Sequence, residues 1–329
     1  MNILITGGAG YIGSATSYLL KKKKLNPIII DKLIYKKKSI LIKNSVFFKA
    51  NISDLKLVKT IIKKFNIKSV IHFAAYKDVE ESILNPKKYY NNNYIIAKKF
   101  INCCKENGIN YFIFSSTAAV YGNLKKNKKV LENSPLKPIS AYGLTKKKIE
   151  EYLKRISDKN FKFFSLRYFN VLGADENLQY GPIGLNINSF SNNLYKSIVT
   201  GKEFKIYGKN HKTQDGTPVR DFIHVDDLAD IHYKSLIYLK KYKKNQICNC
   251  GYGKGHSILQ VIKILLKQKK ISLNYSFTKK RPGDISYMVA DIKKLNKTIN
   301  WKPKNPSLKK MILSEFRWKK SVNSKNIDV

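Results

Sequence analysis

The chain predicts a doubly wound α/β fold, a parallel sheet (Rossmann type) with helices on both faces, on three observations. An apolar run at 3–5 leads into the loop Thr6-Gly7-Gly8-Ala9-Gly10-Tyr11-Ile12-Gly13, and a helical stretch follows at 14–20. A second apolar run at 27–30 ends at Asp31, 18 residues past Gly13. Further apolar runs at 46–48, 69–73, 111–114 and 161–166 alternate with Lys-rich helical stretches, the rhythm of buried parallel strands joined by crossovers.

Taken in order, the glycine loop is the first element with a chemical meaning. Gly8, Gly10 and Gly13 satisfy one three-glycine template, and Gly7, Gly10 and Gly13 another. In either, the missing Cβ atoms admit a pyrophosphate to the backbone, beside Tyr11 and Ile12, and to the N-terminus of the helix that follows. Asp31 then stands where a carboxylate accepts hydrogen bonds from adenosine ribose hydroxyls, which favours NAD over NADP. The competing readings are a capping role for Asp31 and a 2′-phosphate met by Lys32 and Lys36 to Lys38. Later strand ends carry ligands in such sheets, and here they read Asn51-Ile52, Phe73-Ala74-Ala75-Tyr76-Lys77 and Ser115-Ser116-Thr117.

Tyr142 and Lys146 follow, four residues apart, so a helix places a phenol and an ammonium on one face. By spacing alone this is an exposed Tyr beside one of many lysines; behind a dinucleotide loop it is a catalytic pair. An ordinary phenol holds its proton to about pH 10, and lowering that by ~3 units requires about 4 kcal/mol. A nearby ammonium and a cationic nicotinamide ring are suited to supply it, which makes Tyr142 a base near neutrality.

Past about Asn170 the rhythm changes. Gly, Pro and Asn become frequent and strand-like pieces stand singly, at 204–207 and 246–249. This predicts a dinucleotide-binding unit at 1–175, with a segment around 221–250 returning to it, and a smaller substrate lobe at 176–329. The last residues, from Ser321, are expected to fray.

A length of 329 residues suffices for a sizeable core without staples. The four cysteines lack metal-ligand spacing and read as buried free thiols suited to a reducing cytoplasm. The residues from Met1 run straight into the glycine loop and no stretch of 18 apolar residues occurs, so neither export nor membrane spanning is expected. The net charge of +42 is spread from end to end, so it argues for weak attraction of polyanions and capture of an anionic substrate rather than a specific nucleic-acid site. Only five of the 64 basic residues are arginine, and a rare arginine marks a place that needs a planar fork. Arg220 and Arg281 are accordingly expected to clamp a diphosphate, against the alternative of ion pairs holding loops; Arg167 lies in a third motif-like segment.

These motifs carry a resemblance. The glycine loop, Asp31, His72-Phe73-Ala74-Ala75, Ser115-Ser116-Thr117, Val120-Tyr121-Gly122, Tyr142-x-x-x-Lys146 and Arg167-Tyr-Phe-Asn170 resemble the extended short-chain dehydrogenase/reductases. More narrowly, Tyr168-Phe-Asn-Val-Leu-Gly-Ala-Asp175 and the long segment from Thr213 to Asp230, with Asp215-Gly-Thr-Pro-Val-Arg220-Asp as its most specific part, are similar to the UDP-glucose 4-epimerase branch of that family. The likeness runs from Met1 to about Trp318.

The resemblance implies oxidation of a UDP-hexose at C4 by NAD, rotation of the 4-keto sugar, and reduction on its other face. Tyr142 would be the acid/base, Thr117 would bond the reacting sugar oxygen, and Lys146 would hold the ribose and depress the Tyr142 pKa. Lys77 and Asn92 would reach the cofactor, Lys77 also the substrate, and Phe169 would lie against the cofactor. Asn170, Arg220, Arg281 and Asp284 would hold the nucleotide diphosphate, with Tyr207 stacking on the uracil. It also implies a homodimer through paired helices. Three positions depart from the common pattern: Asn51 replaces an Asp at the adenine, the stretch Asn186 to Phe190 lacks paired asparagines, leaving Asn192 and Asn193 unassigned, and Met288, not a small residue, occupies a position that favours unacetylated hexoses. Two rivals are a 4,6-dehydratase, disfavoured by Ala118 and Ala119 after Thr117, and a dinucleotide-binding sensor without chemistry.

Overall fold

The computed structural model of the protein describes residues 1–34, 45–123, 128–183, 189–268, 271–281 and 284–324. Lys36 to Lys38 and Asn186 lie outside them. The chain begins β1 (Asn2–Thr6), α1 (Tyr11–Lys22), β2 (Asn26–Asp31), β3 (Val46–Lys49), α2 (Leu55–Lys64) and β4 (Ser69–His72). Next come α3 (Val79–Leu84), α4 (Pro86–Tyr90), a π-helical turn (Asn91–Ile96), α5 (Ala97–Glu106), β5 (Tyr111–Thr117), a 3-10 turn (Ala118–Val120), α6 (Ala141–Ile156), β6 (Lys162–Tyr168) and β7 (Asn170–Leu172). The remainder is α7 (Phe190–Thr200), β8 (Phe204–Tyr207), β9 (Val219–His224), α8 (Val225–Tyr242), β10 (Gln246–Cys250), β11 (Gly255–Ser257), α9 (Ile258–Leu266), β12 (Tyr275–Thr278), β13 (Tyr287–Met288), α10 (Lys293–Ile299) and α11 (Leu308–Ser324).

Seven strands form one sheet in the order β10-β6-β5-β4-β1-β2-β3, all pairs parallel. Alternate residues feed two separate cores, as the period of a strand requires. Leu4, Ile28, Val70 and Phe112 enter one; Ile3, Ile5, Ile71 and Ile113 enter the other. The strand order reverses between β1 and β4, so the connections leaving their C-terminal ends diverge and open a crevice. Thr6 Oγ1 and His72 Nδ1 bond at 2.7 Å across this point, and Phe73 N donates to the Thr6 carbonyl.

β9 belongs to a second, small sheet with β7, β11 and β13, while β8 pairs with β12. α7, α9 and α11 pack on these strands through Leu194, Val261, Leu265, Met311 and Ile312. β10 rejoins the large sheet beside β6. All four cysteines are buried and free. The expectation of fraying from Ser321 is corrected as far as Ser324, to which α11 continues, with Val322 buried in one cluster with Tyr11, Ala174 and Trp318; residues 325–329 lie outside the described residues.

Candidate active site

The turn after β1 is built around four glycines, of which Gly7, Gly10 and Gly13 line the crevice. Gly7 has φ +71°, and a Cβ on it would lie 2.8 Å from Ala74 N. One on Gly13 would lie 2.2 Å from the Gly7 carbonyl oxygen. Gly8 faces the other way, against Ile29. Gly10 caps α1 without a side chain, so the first turn of that helix presents bare N–H groups to the cleft. At the end of β2, Asp31 Oδ2 accepts from Ala9 N at 3.0 Å and Oδ1 from Leu33 N at 2.8 Å. Burial pushes this carboxyl up, against those two bonds.

Ile52, Phe73, Ala74, Ala75, Lys77 and Ser115 line the same cleft, which holds about 540 Å³. Asn51 lines it too, with its carbonyl turned to Ser53 N at 3.2 Å. Asn92 reaches it from the π-helical turn, whose extra residue re-aims the side chains. Its neighbour Asn93, which sequence reasoning missed, clamps the turn after β4: Oδ1 accepts from Tyr76 N at 2.9 Å and Nδ2 donates to the Tyr76 carbonyl at 2.8 Å. A tight glycine cradle, a helix N-terminus and a carboxylate at the second strand end together fit a dinucleotide.

Tyr142 is placed by the start of α6. Ser140 Oγ accepts from Gly143 N at 3.2 Å, and a Cβ on Gly143 would stand 2.6 Å from the Ala119 carbonyl oxygen. The first turn of α6 therefore lies on the 3-10 turn after β5, which brings the Tyr142 phenol beside the Thr117 hydroxyl. One turn on, Lys146 is 3% exposed, with Nζ donating to the Ser115 carbonyl at 2.6 Å. Burial drives the ammonium down to about 7, against the pull of Glu150. Burial is the largest influence on the Tyr142 phenol and raises it, while the Thr117 hydroxyl opposes the rise.

A second cleft of about 860 Å³ opens toward the small lobe and includes Thr117, Asn170, Tyr207, Arg220, Arg281 and Asp284. Phe169 lies here rather than in the first cleft. Tyr11, Ile12, Lys77 and Tyr142 line both, so the two clefts meet at the phenol. Arg220 Nη2 donates to Asp284 Oδ1 at 3.0 Å. The Arg281 guanidinium lies 3.7 Å from the centre of the Tyr207 ring and pairs with Glu80, at the start of α3 on the opposite wall. Glu80 was not anticipated, nor were Asn192 and Asn193, which also line this cleft. Met288 lies in neither cleft: it is buried behind Phe169 with Val120, Tyr121 and Ala290, so its expected influence on an acetyl group is withdrawn.

Arg167 has the planar-fork role in the core. Its Nε and Nη2 engage Glu150 of α6 at 3.0 and 2.6 Å, and Nη1 donates to Tyr121 OH at 2.8 Å. That buried pair ties α6 to β6 and so fixes the helix bearing Tyr142 and Lys146.

The family model described as the NAD dependent epimerase/dehydratase family matches residues 3–251. The UDP-glucose 4-epimerase of Lactobacillus helveticus is 35% identical over 324 residues, covering 98% of each chain. A crystal structure of UDP-glucose 4-epimerase from Stenotrophomonas maltophila, with bound NAD and formylated UDP-arabinopyranose, superposes with a TM-score of 0.94 at 29% identity, covering 99% of each chain. The UDP-Glc/GlcNAc 4-epimerase of Campylobacter jejuni gives 0.84 at 36% identity, covering 97% of this chain and 99% of its own.

Proposed function

The chain belongs to the NAD-dependent epimerase/dehydratase family, and from that premise we propose that it interconverts UDP-glucose and UDP-galactose by NAD-dependent epimerisation at C4. One observation carries this reading: a cleft built for a dinucleotide and a cleft bearing Arg220 and Arg281 share Tyr142 as a common wall. When bound, NAD supplies the hydride acceptor and donor that no side chain here offers. The protein does the rest. Thr117 and Tyr142, side by side in the wall of the second cleft, hold the reacting sugar oxygen between two hydroxyls. Tyr142 takes the 4-hydroxyl proton and later returns it. Its raised pKa suits the acid half; the base half requires positive charge beside the phenol, which Lys146 supplies when its own proton is retained.

Holding the nucleotide tightly leaves the hexose free to turn. Arg220, Arg281 and Asn170 are the groups assigned to the diphosphate, Asp284 to the nucleotide beside the Arg220 it accepts from, and Tyr207 to the uracil. Ala118 and Ala119 have no proton to give, which disfavours dehydration. Residues 1–175, with the segment around 221–250, serve the dinucleotide, and 176–329 the sugar nucleotide. The same reading takes the enzyme as a cytoplasmic homodimer. Exposed Ile83, Leu84, Tyr90 and Leu144 on α3, α4 and α6 support the dimer.

The test is to incubate purified protein with UDP-galactose and assay UDP-glucose without added cofactor. Absence of product, even with NAD supplied, overturns the reading.

A further inference from the structure

The far end of the chain reaches the glycine loop through a run of buried polar contacts. The Tyr11 hydroxyl, in the turn that receives the cofactor, donates to the Gly173 carbonyl. Gly173 N donates to Glu315 Oε2 on α11 at 3.0 Å, and Ala174 N donates to Ser314 Oγ at 3.2 Å. Glu315 Oε1 pairs with Lys319 Nζ, one turn on, at 2.7 Å, and both side chains are at most 3% exposed. The Lys319 ammonium also lies over the Tyr195 ring of α7, 5.9 Å from its centre.

Nothing in the proposed chemistry uses this ion pair, and burying two charges on one helix is costly unless their geometry serves another end. Its geometry does. Gly173 has φ +93°, with the His224 ring close by, so its peptide is set by its surroundings and each of its polar groups has one assigned partner. Trp318 seals the arrangement: Nε1 donates to the Pro182 carbonyl at 2.8 Å, and its ring lies against Gly181. The 173–183 segment is thereby held between α11 and the start of α1.

We propose that Glu315, held by Lys319, is a positioning residue for the dinucleotide loop, acting on Tyr11 through the Gly173 peptide. This rests on the NAD reading above. The carboxylate fixes the orientation of Gly173, the Gly173 carbonyl fixes Tyr11, and Tyr11 sets the first turn of α1 whose N–H groups meet the pyrophosphate. The helix that ends the chain therefore tunes cofactor affinity without touching the cofactor.

The experiment measures NAD dissociation constants of cofactor-stripped protein by fluorescence, together with UDP affinity and thermal midpoint. Glu315→Gln/Lys319→Met removes both charges and keeps an acceptor for Gly173 N; it is expected to bind NAD within about twofold of wild type. Glu315→Leu/Lys319→Met removes the acceptor as well and is expected to bind NAD about tenfold more weakly; because Glu315 also lines the second cleft, UDP affinity is measured beside it as a separate effect. Tyr11→Phe is expected to lose a similar amount, and combining it with Glu315→Leu/Lys319→Met should add little more, because all act through one linkage. Wild-type NAD affinity in Tyr11→Phe, or fully additive losses, overturns the inference even if the α11 variants fail to fold. A lowered thermal midpoint with unchanged NAD affinity in the α11 variants also overturns it, since that marks a purely structural pair. Wild-type protein that binds no NAD overturns the cofactor reading and this inference with it; the variants' behaviour bears on this inference alone.

Discussion

Tyr142 carries the proton, and the Arg281–Glu80 pair bears on substrate affinity. Tyr142→Phe keeps the ring and removes the proton carrier, so turnover is expected to fall by at least about a thousandfold while NAD still binds; near-normal conversion of UDP-galactose would count against the acid/base role. Glu80 pairs with Arg281, so a diphosphate that uses this guanidinium competes with a carboxylate. Both partners are well exposed, so the pair is weak, and Glu80→Gln is expected to lower KM about two- to fivefold with little change in kcat. A KM that stays or rises would show that Glu80 helps rather than competes. Tyr142, Lys146 and Asp31 could be read from their spacing because each acts within or just beyond its own element. The Arg281–Glu80 contact could not, since 201 residues separate the partners and only the meeting of the two cleft walls joins them.

At the scale of elements, the seating of α6 sets the distance from phenol to threonine. Gly143 permits it: a methyl there meets the Ala119 carbonyl oxygen at 2.6 Å and Pro138 Cβ at 3.0 Å. Gly143→Ala is expected to destabilise by ~1–3 kcal/mol and to lower kcat more than KM, checked by thermal melts and steady-state rates. β4 carries a different liability. Burial holds His72 down to about 3, and His232 of α8, also buried, down to about 4. The folded state thus refuses protons that the unfolded chain takes up below about 6.5, so stability is lost as pH falls through that window. Asp221, pushed up to about 6, works in the opposite direction by a smaller displacement. The melting temperature at pH 5 should therefore lie below that at pH 7; a flat profile would contradict the buried, neutral state of both rings. The strands of the large sheet were legible as apolar runs because they are buried on both faces. The small lobe was less so: β7, β11 and β13 are only two or three residues long, too short to show any period.

For the molecule as a whole, the net charge of +42 acts on encounter more than on the bound state. Raising ionic strength from about 20 to about 300 mM is expected to lower kcat/KM for a UDP-sugar severalfold at nearly constant kcat, as screening shortens the reach of the field. Salt-independent kcat/KM would assign the charge no part in substrate capture. The amino-acid sequence by itself determined the doubly wound sheet, the glycine cradle, the carboxylate at the second strand end and the Tyr/Lys pair, because strand alternation, helical spacing and the missing Cβ of glycine are local properties. Only the tertiary structure decided that Met288 lies behind Phe169 and that Arg167 locks α6 to the sheet through Glu150. It alone decided that Glu315 is joined through Gly173 to Tyr11. Those outcomes depend on which distant segments share a buried volume, and no spacing along the chain encodes that.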